Sequence, residues 1–207
     1  MSTRSRSAAM DLAEACHRLQ RLLDERELVA ASALTAEVSM TAKRLGIRSA
    51  FICFVNAIYA DYSGDAVAAF NFIQEAIAMD PAAPPYRHSE AVIIRGLRRR
   101  LTAPDRDAAD RETPRIWALL ANIGEADDAC HLALAGFHVA TSNDLEAMRI
   151  VDAVTTLAPG NRDAWLLKAS IATRLGDEQL ATRARAEAAA AAAGTAVPFV
   201  LSTEGLS

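Results

Sequence analysis

Apolar positions along the chain recur with helical spacing, in short blocks separated by turn residues. From Met10 onward, Leu12, Ala15, Cys16, Leu19, Leu22 and Leu23 mark the first amphipathic block. A second helix is expected over residues 27–45, closed by Gly46 as a C′ glycine. The run SAFICFVNAIYADY follows, then the turn Ser63-Gly64-Asp65 and a further helix stopped at Pro81. Ala83-Pro84-Pro85 breaks the chain again, and a helix over 86–101 ends in RGLRRR. Residues 102–113, TAPDRDAADRET, are charged and almost free of large apolar groups, which predicts a surface loop. Pro114 fits the first turn of a helix capped by Thr113 and ending at Gly124. Further helices are expected at about 126–140, 144–157, 162–175 and 178–193, with turns at Ser142-Asn143, Pro159-Gly160 and Gly176-Asp177. Only the tail AVPFVLS has strand character, so the expected class is all-α, with a disordered segment at 1–9 and a tail at 196–207.

The punctuation repeats. Gly176-Asp177, like Gly64-Asp65, stands between two helical blocks, and superposing the two stretches puts Ala57, Ala69 and Ala76 on Ala169, Ala181 and Ala188. With Trp165 at the bulky position and Pro81 closing the first stretch, this pattern resembles the tetratricopeptide repeat (TPR), a helix–turn–helix unit of about 34 residues. In that register the clear units are 50–83, 128–161 and 162–195. The middle one carries Ala135, Ala147 and Pro159 but has Val154 where alanine is usual, and the last lacks the closing proline. Residues 84–127 become one unit enlarged at its turn, with 102–113 as the extra loop, and 10–46 a further helix pair in poor agreement with the pattern. The resemblance therefore implies a TPR-like solenoid of about four to five helix pairs, forming a single domain over 10–195. A generic alanine-rich bundle with coincidental spacing is the plainer alternative.

In TPR units the first helix of each pair lines a concave groove. Carried onto this chain, the groove positions are Phe51, Phe54, Val55, Ile58 and Tyr62, then Leu132 and Val139, then Leu166 and Leu167. The set is apolar. The basic clamp with which TPR adaptors hold acidic chaperone tails is absent, because Phe54, Ile58, Ala133, Asp163 and Leu167 occupy its places. The partner implied is a protein or peptide with apolar anchors, held as an extended or helical segment. Packing of these residues against another part of the chain, including Val197, Pro198, Phe199, Val200 and Leu201 of the tail, is the structural alternative, and a homo- or hetero-oligomer is compatible with either. In size and groove character the chain is similar to the TPR chaperones of bacterial type III secretion. That similarity implies a chaperone for a secreted or assembling protein, with a scaffold or regulatory TPR protein as the alternative.

Composition narrows the reading. Hydrophobic residues make up 52% of the chain but aromatics only 5%, and alanine supplies much of the difference, which favours closely packed helices. A formal charge of −4 supplies no overall basic field for nucleic acid or an anionic membrane. Three widely spaced cysteines, Cys16, Cys53 and Cys130, suit a reducing compartment, and neither a signal peptide nor an apolar run long enough to span a membrane is seen. A cytoplasmic location is expected.

The chemistry-bearing residues do not assemble into a reaction centre. Cys130, His131 and His138 invite a metal, but no nearby residue completes a set by spacing, and in the repeat register the histidines fall at packing positions. Asp127-Asp128 suits a helix start. No nucleophile elbow, phosphate loop, dinucleotide fingerprint or zinc-protease motif occurs, so no enzyme activity and no cofactor are expected. Arg95–Arg100 is the one basic cluster and the one place for nucleic-acid contact. Asp105, Asp107, Asp110 and Glu112 of the following loop are expected to neutralise it.

Overall fold

The structure, a computed structural model, describes residues 3–192; the tail 196–207 and its strand-like stretch lie outside the described residues. Among the described residues there are ten helices and no strand. They are α1 (Thr3–Asp24), α2 (Leu28–Leu45), α3 (Ala50–Tyr62), α4 (Ala66–Met79), α5 (Pro84–Thr102), α6 (Thr113–Asn122), α7 (Asp128–Ala140), α8 (Asp144–Leu157), α9 (Arg162–Arg174) and α10 (Glu178–Ala192). The chain divides into two compact units between Leu97 and Arg98, inside the segment 84–127 that the repeat register treats as one enlarged unit. No helix among the described residues is long and apolar enough to cross a membrane.

Three helix starts differ from expectation, each for a local reason. Helix α1 begins at Thr3, so residues 3–9 continue a helix where disorder was expected. Those residues contain neither glycine nor proline, and serine, arginine and alanine all tolerate the helical backbone. Helix α5 begins on Pro84, so the proline pair opens the helix. The missing N–H groups fall in the first turn, where no carbonyl awaits them. Thr113 is the first residue of α6 and Glu112 holds the cap position; the Thr113 side chain is buried and bonded elsewhere.

In the first unit, α1 packs on α2, α2 on α3 and α3 on α4. One buried cluster joins Leu12, Leu19, Ala31, Val38, Ala42, Ile52 and Val55, and Phe70, Ile73 and Ile77 of α4 are buried as well. In the second unit, α6 packs on α7, α7 on α8, α8 on α9 and α9 on α10, and α7 also touches α9. Leu134, Ala135, Ala147, Ile150, Val151 and Ile171 form one buried cluster there. The small positions read from the repeat are all buried: Ala57, Ala69 and Ala76 in the α3/α4 pair, Ala135 and Ala147 in α7/α8, and Ala169, Ala181 and Ala188 in α9/α10. A methyl group at these points lets neighbouring helix backbones approach closely.

The turns inside the α3/α4, α7/α8 and α9/α10 pairs share one hydrogen-bond design. After α3, Asp65 N–H donates to the Ala60 carbonyl (2.9 Å) and Gly64 N–H to that of Asp61 (3.0 Å), with Gly64 left-handed at φ 84°. After α9, Asp177 N–H reaches Ala172 (2.9 Å) and Gly176 N–H reaches Thr173 (3.1 Å), with Gly176 at φ 80°. Each aspartate then starts the next helix: Asp65 Oδ1 accepts from Ala68 N–H (3.0 Å) and Asp177 Oδ1 from Leu180 N–H (2.9 Å). These are Schellman closures joined directly to N-caps. The α7–α8 turn makes the same bonds, Asn143 N–H to His138 (2.8 Å) and Ser142 N–H to Val139 (3.1 Å), but places Ser142 at φ 60°. A serine pays a steric cost in that conformation that glycine does not. Ser142→Gly is therefore expected to raise the unfolding free energy by about 0.5–1 kcal/mol, read as a higher urea midpoint at unchanged slope.

Candidate functional site

The nine residues assigned to the groove divide between the two units and meet different fates. In the first unit, Phe51 is half-buried and lines an open cavity of about 370 Å³ between α1 and α3. Ala13, Cys16, His17 and Gln20 of α1 and Ser49 before α3 form the rest of its wall. Phe54, one turn further along α3, meets Tyr86 of α5 with ring centroids 5.0 Å apart and planes tilted by 41°. Burial pushes the Tyr86 hydroxyl above its ordinary pKa, and the charges of Asp80 and Cys53 act the same way. Ile58 is half-buried between α3 and α2, near Leu23, Ala31 and Tyr59, and Tyr62 is 65% exposed at the end of α3. Val55 must be removed from the set: at 2% exposure it belongs to the core of this unit. The repeat register assigns it outward, but Leu12, Leu19 and Val38 of the first helix pair belong to the same buried cluster.

In the second unit most assigned residues serve packing. Leu132, Val139 and Leu167 lie half-buried against the cluster of α7, α8 and α9, beside Trp117 and Met148. Leu166, 41% exposed, is the one that faces outward. The loop at 102–113 is largely exposed, as expected, but it is anchored at two points. Arg106, half-buried, extends its guanidinium to the Ala133 carbonyl on α7 (2.8 Å) and to the hydroxyl of buried Thr113. Ala133 is a groove position of the repeat register, so the loop itself is fastened to that face. Burial lowers the Arg106 pKa, against the opposing pull of Asp110 and Asp107.

Cys130, His131 and His138 occupy separate surroundings. Cys130 is fully buried, and burial is the main reason its thiol pKa is pushed up to about 11. His131 Nδ1 lies 2.8 Å from the Asp127 carbonyl, and its ring meets Trp117 edge-on at 5.7 Å. His138 stacks edge-on with Phe137. Among the described residues no group of three or more His, Cys, Asp or Glu is arranged to hold a metal ion. The Trp117 indole N–H is buried and makes no hydrogen bond among the described residues.

The basic cluster finds acidic partners, though mostly not those expected. Arg98 bonds Asp127 closely and Glu125 at 3.5 Å, and Arg100 lies 3.9 Å from Asp110. Asp127 also caps α7, accepting from Cys130 N–H at 3.0 Å. Burial opposes ionisation of its carboxyl, but the bonds from Cys130 and Arg98 outweigh it and hold the pKa below its ordinary value. Asp107 and Asp110 accept from Ala109 N–H (2.9 Å) and Glu112 N–H (3.0 Å) within the loop, while Glu112 pairs with Arg115 (3.0 Å).

A second open cavity, about 500 Å³, is bordered by Pro159, Trp165, Lys168, Leu180, Arg183 and Glu187, among others. Its polar groups are largely engaged within the chain. Trp165 Nε1–H donates to the Pro159 carbonyl (2.7 Å), and Lys168 lies over the Trp165 ring (4.9 Å) and bonds Asp152 (2.9 Å). No family model matches the chain, and neither does a curated protein or a solved structure.

Proposed function

We infer that this chain is a non-enzymatic protein-binding module of TPR-like helix pairs that holds an apolar anchor of a partner against α3. One observation carries the reading: half-buried Phe51 lines an open depression of about 370 Å³ between α1 and α3, with Ala13 and Cys16 and the polar His17, Gln20 and Ser49 around it. The Phe54–Tyr86 pair extends aromatic surface along α3, and Ile58 and Tyr62 continue it toward the helix end. The buried alanines at repeat positions and the shared turn design support the solenoid arrangement. Shielding such an anchor is what a chaperone for a secreted or assembling protein does, and the type III secretion chaperones supply the analogy. Pairing of Arg98 and Arg100 with carboxylates weighs against nucleic acid as the ligand.

The test is a labelled peptide panel, apolar-anchored against acidic, titrated by fluorescence anisotropy. Apolar-anchored peptides are expected to bind, and Phe51→Asp is expected to weaken them at least about tenfold, equivalent to about 1.4 kcal/mol, with circular dichroism unchanged. Binding that survives Phe51→Asp, or a preference for acidic peptides, would remove this reading.

A further inference from the structure

Helix α2 carries an outward stripe unlike that of the other helices in its unit. Val29, Ala33, Ala36 and Met40 follow one another at alternating spacings of four and three residues, which puts them on one face. All four are exposed, Val29 at 80% and Met40 at 68%. No charged side chain occurs from Leu28 to Ala36, two and a half turns of helix, until Glu37. The exposed positions of α4 show the contrast, because Asn71 and Glu75 interrupt its outer face. The opposite side of α2 is fully committed: Ala31, Val38 and Ala42 are in the core of the unit.

The ends of this stripe carry opposite charge. Before α2 stand Asp24, Glu25 and Glu27 with one cation, Arg26, among them; its last turn holds Lys43 and Arg44. Glu25, Glu27 and Lys43 are exposed, and no ion pair engages them among the described residues. A helix whose apolar face is flanked by acid at one end and base at the other complements itself when reversed. We propose that α2 pairs with α2 of a second copy of this chain, antiparallel about a two-fold axis passing between Ala33 and Ala36.

In that register Ala33 faces Ala36 of the other copy, and the two methyl-bearing turns let the backbones approach closely. Val29 packs on Met40 at both ends, since an isologous interface repeats each contact twice. Arg44 comes level with Glu25 of the other copy and Lys43 with Arg26, in a turn whose Asp24, Glu25 and Glu27 outnumber that one cation. The parallel arrangement would set acid against acid and base against base, so charge selects the antiparallel one. An 18-residue helix is about 27 Å long, and a single helix pair of that length lies below the usual size of a stable interface. The dimer is accordingly a weak, reversible one. This pairing uses the outer face of α2 and does not depend on the reading of Phe51.

Sedimentation velocity of the full chain over a series from low to high micromolar concentration is the experiment. The expected result is a monomer–dimer equilibrium that weakens with added salt. Val29→Glu with Met40→Glu is expected to give monomer throughout, with circular dichroism unchanged. Lys43→Glu with Arg44→Glu is expected to weaken association at least about tenfold, and adding Glu25→Lys and Glu27→Lys to restore it. A wild-type chain that stays monomeric would overturn the proposal. So would a dimer that survives the Val29/Met40 change, or a charge reversal without rescue.

Discussion

Ala69→Leu and Ala181→Leu are each expected to lower the unfolding free energy by about 3 kcal/mol. Both alanines are fully buried, one in the α3/α4 pair and the other in α9/α10, and they occupy equivalent places in the repeat. Three added carbons have no void to enter, so either the leucine leaves its preferred rotamer or the helices part. Thermal unfolding monitored at 222 nm, the usual helix signal, is expected to move down by roughly 6–12 °C for each variant. Ala78→Leu is the control, because Ala78 is exposed on the same helix as Ala69 and the change should stay within about 0.5 kcal/mol. Similar penalties in both pairs would support equivalence of the two units. A large penalty at only one of them would favour a bundle whose spacing coincides with the repeat.

Arg106→Ala is expected to cost about 2–3 kcal/mol and to free the loop before α6. The guanidinium makes two bonds, to the Ala133 carbonyl and to buried Thr113, and alanine leaves the Thr113 hydroxyl without its donor. A protease that cuts before aspartate offers a direct readout, since Asp105, Asp107 and Asp110 all lie in the loop. Cleavage there should accelerate at least about tenfold, following the larger open population. Arg106→Lys should rescue only part of the effect, because an ammonium lacks the planar fork that reaches both acceptors. Unchanged cleavage in Arg106→Ala would mean that the loop is held by something other than this side chain.

The two variants also separate what the sequence discloses from what it conceals. Helix positions were legible because periodicity and turn residues act over a few residues: α3, α8 and α9 begin and end within a residue or two of expectation. The buried alanines were legible for the same reason, as the repeat fixes which face each one takes. Arg106 was not. A cation in a charged, proline-containing stretch has the sequence signature of a solvated loop, and its carbonyl acceptor stands 27 residues away. Arg98 carries the same lesson, since its carboxylates at Glu125 and Asp127 lie beyond the nearer acidic residues that looked like partners. Val55 shows the limit of a repeat register. A position that faces outward in a typical unit turns inward here, where the first helix pair contributes to the same core. Of the proposed surface, Phe51 and Phe54 were named from sequence. The α1 side of the cavity was not, because the first helix pair matches the repeat too poorly to assign facing positions.

The paired turns carry a consequence for how quickly the chain reaches this structure. Where Gly64-Asp65 and Gly176-Asp177 close one helix and cap the next, the packed partners α3/α4 and α9/α10 are neighbours in sequence. Little chain has to be searched before each pair gains its contacts, so the entropy of loop closure is small and is recovered at once. Topologies dominated by such short-range pairing cross their folding barrier in microseconds to milliseconds. Each capped hairpin is thus a candidate nucleus, and the chain can begin to fold from either side of its division in α5.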